Sequence, residues 1–484
     1  MKKLIILLTL LGCLNVLLAQ PIRLYSKNPH YFEFLGKPTV LIASGMHYGA
    51  VLNLDIDYNQ YLDILSKYKF NLHREFVLGC YEYLEGRNWR THQSPIAPRP
   101  GKLCSPYMRS EVPGANDGLN KFDLNQWNNE YFDRLKDFCR KAYEKGIVVE
   151  ISLFSVLYKE STWELFPLYF KNNINNVGYG RYTDYTFIKD TLLFEAQKAL
   201  VAKIVTELNG FDNVYFEICN EPYWAKGVPG VEPTIKEQQF IPEVIEWERR
   251  LAIEIVKTES KLPKKHLIAQ NVANEYYKVD TLCNSKISIV NFHYAFPPKS
   301  VKDNYHLGLP ISFDETANGC DAPNRRIEAW AFMFSGGAVY NNLDWSFAID
   351  DQSGRGRNPI GTRRSGVEVK EQLSCLKNFL DSFDVANSFP IDSSSIKNLP
   401  KEVLSYGLEK ANASWAYYFL KRDNCNMQGT SLKLMQGSFI IKWIDPLNGT
   451  LIKSQKIVNE ENYWVPDFPN FPDDMVLCIT KIDQ

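Results

Sequence analysis

Beyond residue 20 the sequence has no long hydrophobic run, and nowhere supplies the ~20 consecutive apolar residues that a membrane-spanning helix needs. It has no excess charge of either sign, with 55 Lys and Arg against 56 Asp and Glu, which removes the basic face expected of a nucleic-acid or anionic-membrane binder. Cysteine is sparse: ten residues, none in a Cys-x-x-Cys or Cys/His spacing. That pattern excludes a structural zinc site and a disulfide-dense scaffold, leaving room for one or two bridges at most. The seven histidines form no His-x-His or His-Glu-x-x-His pair. A metal-dependent hydrolase, which needs several imidazoles converging on one ion, is therefore disfavoured. No glycine-rich phosphate loop opens a helix, and there is no internal repeat or low-complexity linker.

What is present begins with a leader. Lys2 and Lys3 precede an apolar run from Leu4 to Leu18, followed by Ala19-Gln20, the layout of a secretory signal peptide cut after Ala19. Cys13, in Leu10-Leu11-Gly12-Cys13, has the setting of a lipoprotein cysteine, but the apolar run continues past it. Export to the periplasm or the exterior is the expectation, with lipid anchoring through Cys13 as the weaker alternative.

From Pro38 to about Phe383, short apolar runs alternate with amphipathic stretches. Strands are expected at Thr39–Ser44, Asn71–Val77, Ile147–Leu153, Val214–Asn220, His266–Asn271, Ile287–His293, Pro310–Asp314 and Ala338–Leu343. The clearest helix is expected to start at Asp123 as N-cap, with Trp127, Tyr131, Leu135, Phe138 and Ala142 on its buried face and Gly146 closing it. Eight such β-then-α units predict a (β/α)8 barrel over residues 20–385. After Val385 short strands separated by Asp-Asn, Pro-Leu-Asn-Gly and Pro-Asp-Phe-Pro turns predict a small C-terminal β-sandwich over 386–484. Its aromatics sit in strand patterns, which suits a supporting role better than glycan binding.

Two carboxylates stand out by position. The segment Val214–Pro222 carries the fourth strand, which should end near Asn220-Glu221, at the rim where barrel active sites are built, with Pro222 stopping it. Strand alternation puts Glu217, Cys219 and Glu221 on the barrel's inner face. Leu309–Thr316 is the seventh strand and carries Glu315 at its end. Carboxyls ~5–5.5 Å apart suit a retaining glycosidase, in which one attacks the anomeric carbon and the other manages the proton. No metal or cofactor is then required.

At these residues the chain resembles the cellulase-like, family 5-like retaining glycoside hydrolases of clan A, over residues ~35–350. The resemblance implies Glu221 as acid/base and Glu315 as nucleophile. It implies Arg74, on strand two, beside the nucleophile, and Asn220 on the sugar's 2-hydroxyl. It also implies His293 or Tyr294, at the end of strand six, in contact with the nucleophile, and Trp345, after strand eight, beneath the cleaved sugar. One position departs from the pattern: strand three, Ile147–Phe154, ends without the histidine that many members carry. His47, after strand one, is the substitute considered. Tyr223 and Trp224 follow the acid/base and are candidates for stacking on sugar. Glu150 and Glu217 are expected to be structural partners of Arg74 or His73. Basic residues in the loop 78–121 could meet acidic sugars, although such charges are usually solvated. The expected partner is a β-linked poly- or oligosaccharide. The resemblance also implies a raised pKa for Glu221 and a low one for Glu315. The alternative function is a polysaccharide-binding protein that kept the barrel without turnover.

Overall fold

The computed structural model describes residues 20–46, 48–78, 95–223, 241–316, 322–356, 366–423 and 425–482. Residues 1–19 with Cys13, together with His47 and Trp224, lie outside the described residues. Eight buried strands form one parallel sheet: β1 (Leu41–Gly45), β2 (Leu72–Phe76), β3 (Val148–Ser155), β4 (Val214–Asn220), β5 (Ile268–Asn274), β6 (Ile287–His293), β7 (Ile311–Glu315) and β8 (Val339–Leu343). Each is paired with its neighbour in sequence from β2 to β8, and β8 pairs with β1. Asn71 closes the seam between β1 and β2. Its N–H donates to the Ile42 carbonyl (3.1 Å), and its side-chain oxygen accepts from the Ile42 N–H (2.9 Å). The sheet is a (β/α)8 barrel, with strands covered on both faces as the continuous apolar runs require.

The outer helices are α1 (Tyr58–Lys67), α2 (Asn129–Glu144), α3 (Thr191–Leu208), α4 (Pro242–Glu259), α5 (Lys299–Asn304), α6 (Ala322–Phe334) and α7 (Val367–Ser382). No helix joins β5 to β6; residues 275–286 cross as an irregular loop, so the eight expected repeats carry seven outer helices among the described residues. The Asp123 N-cap is also corrected. Asn120–Trp127 is a strand paired antiparallel with Tyr107–Pro113, and the helix starts five residues later with Asn128 as its cap. Both residues are capping types. Phe122 and Leu124 alternate inward in a strand, and the Asp123 carboxylate is taken by the Asn125 N–H and the Asn175 amide.

The C-terminal region holds a six-stranded antiparallel sheet in which β9 (Phe389–Pro390), β10 (Val403–Lys410), β11 (Ser414–Lys421), β14 (Asp474–Lys481), β12 (Gly437–Ile444) and β13 (Leu451–Asn459) lie side by side in that order. A three-stranded sheet of Ile396–Lys397, Ser431–Lys433 and Tyr463–Trp464 faces it. The period-two alternation of β11 is buried on both sides. Trp415, Tyr417 and Phe419 join Phe439, Trp443 and Leu432 in a core between the two sheets. Ala416, Tyr418 and Leu420 belong instead to the barrel's core. Tyr418 stacks on Trp330 of α6 at 5.9 Å between ring centres.

One ion pair pins this contact. Arg326 of α6 grips Asp474 of β14 with two hydrogen bonds (2.9 and 3.0 Å), and the Tyr418 hydroxyl donates to the same carboxylate at 2.8 Å. Removing one partner of such a buried pair strands the other charge, at about 3–5 kcal/mol. Asp474→Ala should therefore lower the stability by that order in denaturant unfolding. A double replacement of Arg326 and Asp474 by apolar residues should recover most of the loss.

Candidate active site

Three strand ends, those of β4, β6 and β7, and two unusual backbone turns build the barrel mouth. β4 ends at Asn220, and Glu221 then adopts φ = +50°, a left-handed conformation that costs a non-glycine residue about 1–3 kcal/mol. Its N–H is held by the Asn271 side chain at 2.9 Å. β6 ends at His293, and Tyr294 adopts φ = +53° with its N–H on the Glu315 carbonyl at 2.9 Å. The side chains of both left-handed residues, Glu221 and Tyr294, meet beside Glu315. Oxygens of Glu221 and Glu315 lie within 4.8 Å of each other and of a His293 nitrogen.

The Tyr294 hydroxyl is within hydrogen-bond distance of both carboxylates, 3.1 Å from Glu315 and 3.3 Å from Glu221. His293 Nδ1 sits 3.1 Å from the same oxygen of Glu221, and its Nε2 is 3.6 Å from Asp314. Thus both His293 and Tyr294 point into the site. Behind them lies Arg74, wholly buried on β2. Its guanidinium pairs with Glu217 (2.6 Å), Glu315 (3.1 Å) and Asp314 (3.3 Å), and donates to Asn220 Oδ1 at 3.0 Å. Glu217 is therefore a partner of Arg74, as expected. Glu150 instead accepts from Asn291 at 2.7 Å, and His73 pairs with Glu75 and Tyr61 outside the barrel interior.

Burial raises the proton affinity of every carboxylate in this cluster, and local partners decide the outcome. For Glu217, burial is outweighed by Arg74 and by hydrogen bonds from Ser152 and Asn291, holding it below the usual range. For Glu150, burial and the nearby Asp314 and Glu217 push its proton affinity far up, against Arg74. Asp314 is pushed up to about 7 by burial, despite Arg74 and His293. His293 would lose its proton easily on burial alone, but Glu315, Asp314 and Glu221 raise it to about 9. Glu221 is drawn below the usual carboxylate range because hydrogen bonds from His293, Tyr158 and Tyr294 outweigh its burial. Glu315 is held above it by burial and by the Glu221 charge, against His293 and Arg74. This order in the free protein is the reverse of the one the resemblance implied. The cause is that the imidazolium contacts Glu221 more closely than Glu315.

Glu221, His293 and Glu315 form one cluster with ligand-like spacing, and Glu150, Glu217 and Asp314 form a second. Arg74 reaches into both and supplies the positive charge a cation would bring.

The remaining sequence candidates are placed as follows. Asn220 is buried, and its amide is already engaged: Oδ1 by Arg74, Nδ2 by Ser155 and Tyr158 at 3.1 Å each. Tyr223 is buried with its hydroxyl on Asn274 (2.6 Å), which leaves little ring to stack on a sugar. Trp345 is half-buried directly after Asp344, which Lys370 (2.6 Å) and Ser44 (2.8 Å) hold. In the loops, Arg109 pairs with Asp117 and Arg99 with Asp350, so neither is a free cation for an acidic sugar. Arg87 and Arg90 lie outside the described residues. No disulfide joins any two of the seven described cysteines.

Sequence reading missed Tyr158, whose hydroxyl donates to Glu221, and the asparagines Asn271 and Asn291. The asparagines had a signal, since an amide inside an otherwise apolar parallel strand must find buried partners.

Arg74→Met should cost about 3–5 kcal/mol near neutral pH, because it leaves buried carboxylates without their cation. Those carboxylates would bind protons more tightly in the folded than in the unfolded variant. Its deficit should therefore grow from pH 5 to pH 8 in urea unfolding. A deficit independent of pH would contradict this account.

The family "Domain of unknown function (DUF6298)" matches residues 102–205, a stretch that includes β3, Tyr158 and most of α3. A comparison with curated proteins finds no match. A glycoside hydrolase family 5 structure from Bacteroides vulgatus superposes with a TM-score of 0.61 at 12% identity, covering 95% of this chain and 92% of that one. A further solved structure, described as a glycoside hydrolase, gives 0.57 at 12% identity over 96% and 97% of the two chains. The chain thus shares its fold, a glycosidase-like barrel with its C-terminal extension, with solved structures of glycoside hydrolases.

Proposed function

We propose that the protein is an exported retaining glycoside hydrolase acting on a β-linked poly- or oligosaccharide. The observation that carries this reading is the spacing of Glu221 and Glu315, with oxygens within 4.8 Å of one another at the ends of β4 and β7. That separation leaves no room for a water between carboxylate and sugar, as inversion would need, and suits direct attack.

In the first step a Glu315 oxygen forms a bond to the anomeric carbon. The bond to the leaving oxygen breaks, and that oxygen takes the proton of Glu221. In the second, Glu221 accepts a proton from water as the water oxygen bonds the same carbon and releases Glu315. Arg74 and Tyr294 bond different oxygens of Glu315 and fix the plane of its carboxylate. The pair must hold one proton between them, and it titrates as a unit. Activity should therefore follow a bell in pH, lost when the pair holds two protons or none. The C-terminal sheets brace the barrel in this reading, and the N-terminal leader directs export.

Glu315→Ala should abolish hydrolysis of every β-glycoside. Glu221→Ala should lose roughly 10²–10⁴-fold on substrates with poor leaving groups and far less on an activated aryl glycoside. Azide should rescue Glu221→Ala with retained configuration and Glu315→Ala with inverted configuration, distinguished by proton NMR of the glycosyl azides. Identical configurations would refute this division of roles between the two carboxylates. Binding of polysaccharide with no release of reducing ends by the intact protein would establish the non-catalytic alternative.

A further inference from the structure

Strand β3 ends at Ser155 with no histidine to face the site, yet the place is filled. Three residues on, the Tyr158 hydroxyl accepts a hydrogen bond from Asn220 Nδ2 (3.1 Å) and donates to Glu221 Oε2. The other Glu221 oxygen is the one shared by His293 and Tyr294. Tyr158 alone among these three donors reaches Glu221 from outside the β6 corner. Its direction is fixed, because an hydroxyl that accepts from an amide and meets a carboxylate has its single proton on the carboxylate side.

The ring has its own support. Tyr158 packs on a small cluster of Val156, Phe187, Ile241 and Val244, separate from the barrel core. Ile241 caps the start of α4 and Val244 lies in its first turn. The ring is thus supported by the β3–α3 loop and by α4, while Asn220 at the end of β4 orients the hydroxyl.

We propose that Tyr158 is a positioning residue that holds the Glu221 carboxylate from the β3 side and biases the carboxylate pair toward an ionised Glu221. The proposal rests on the reading of Glu221 as acid/base, and extends it to a residue that resemblance did not supply. Groups facing Glu221 are His293 and Tyr294 from β6, Glu315 from β7, Tyr223 after β4, with Asp314 and Arg74 behind them. Among the three side-chain donors to Glu221, Tyr158, His293 and Tyr294, Tyr158 can lose its donor through a substitution that keeps the ring and leaves the β6 contacts in place.

The sign follows from which form the bond favours. A donor to the carboxylate stabilises the charged form, so its removal raises the proton affinity of Glu221. Tyr158→Phe should shift both limbs of the pH–rate bell to higher pH. The alkaline limb of kcat/KM moves because the pair keeps its proton longer. The acid limb of the hydrolysis of the glycosyl-enzyme moves because the base is protonated sooner. Val244→Ala, which loosens the ring without touching the hydroxyl, should shift them the same way by less. A loss of rate with both limbs unmoved would reduce Tyr158 to packing and overturn the proposal.

A second measurement does not depend on turnover. Carbon-13 NMR titration of the glutamate carboxyls in the full chain, with Glu221 assigned by Glu221→Gln, should show its midpoint raised in Tyr158→Phe. An unmoved Glu221 midpoint sinks the proposal even in an active enzyme. A raised midpoint in a protein that cleaves no β-glycoside would sustain the contact and reject the hydrolase reading.

Discussion

Everything at the barrel mouth depends on one buried guanidinium. Arg74 has no solvent exposure, and three carboxylates and an amide oxygen crowd its nitrogens. A lone buried cation would be prohibitively unfavourable, and so would these carboxylates without it; together they are tolerable only because each is hydrogen-bonded. Two cations, Arg74 and protonated His293, cannot balance five acids, so some must keep protons. Glu150 and Asp314, the ones without a close donor on every oxygen, are those whose proton affinity rises most clearly. The barrel interior is thus a set of acids ordered by how many donors each receives, and Glu221 and Glu315 sit at its open end.

That ordering needs the strand ends where they are. Parallel strands bring all their C-terminal ends to one rim of the barrel, and there the left-handed residues Glu221 and Tyr294 are in hydrogen-bond contact. The strain at both is borne by buried hydrogen bonds of their own N–H groups, to Asn271 and to the Glu315 carbonyl. Strain kept in place by its surroundings is commonest where function requires a fixed geometry. Here both strained residues touch the carboxylate pair.

The barrel was legible because its strands are covered on both faces. Val214–Asn220 and Ile287–His293 stand in the structure with the bounds their apolar runs indicated, and Glu315 closes β7. Boundaries failed where two local signals competed, as at Asp123 and Asn128, and a long-range strand pairing chose between them. The β5–β6 connection lost its expected helix, which composition did not foretell. Tyr158 was invisible for a different reason. Its role arises from a cluster joining residues 156 and 187 to 241 and 244, a contact no periodicity encodes. The proton order of Glu221 and Glu315 was misread because it turns on which oxygen the His293 ring reaches, a matter of tenths of an ångström.

The C-terminal sheets bear on the same site through the helices they grip. Arg326 and Trp330 lie on α6, which follows β7 with Glu315 at its end; Phe379 lies on α7, which follows β8 and the half-buried Trp345. β11 and β14 therefore clamp the β7–β8 side of the barrel, the side that carries Glu315. The β3–β4 side, with Glu221, has no contact of that kind with the C-terminal sheets among the described residues; there Tyr158 and its small apolar cluster add to the β5 and β6 contacts. The two carboxylates are thus held by different supports. Glu315 is locked by Arg74 from within the barrel and by a clamped helix behind. Glu221, the acid/base of the proposed mechanism, is held by His293 and Tyr294 of the β6 end, by Asn271 through its N–H, and by Tyr158, whose ring rests on a loop and the first turn of α4.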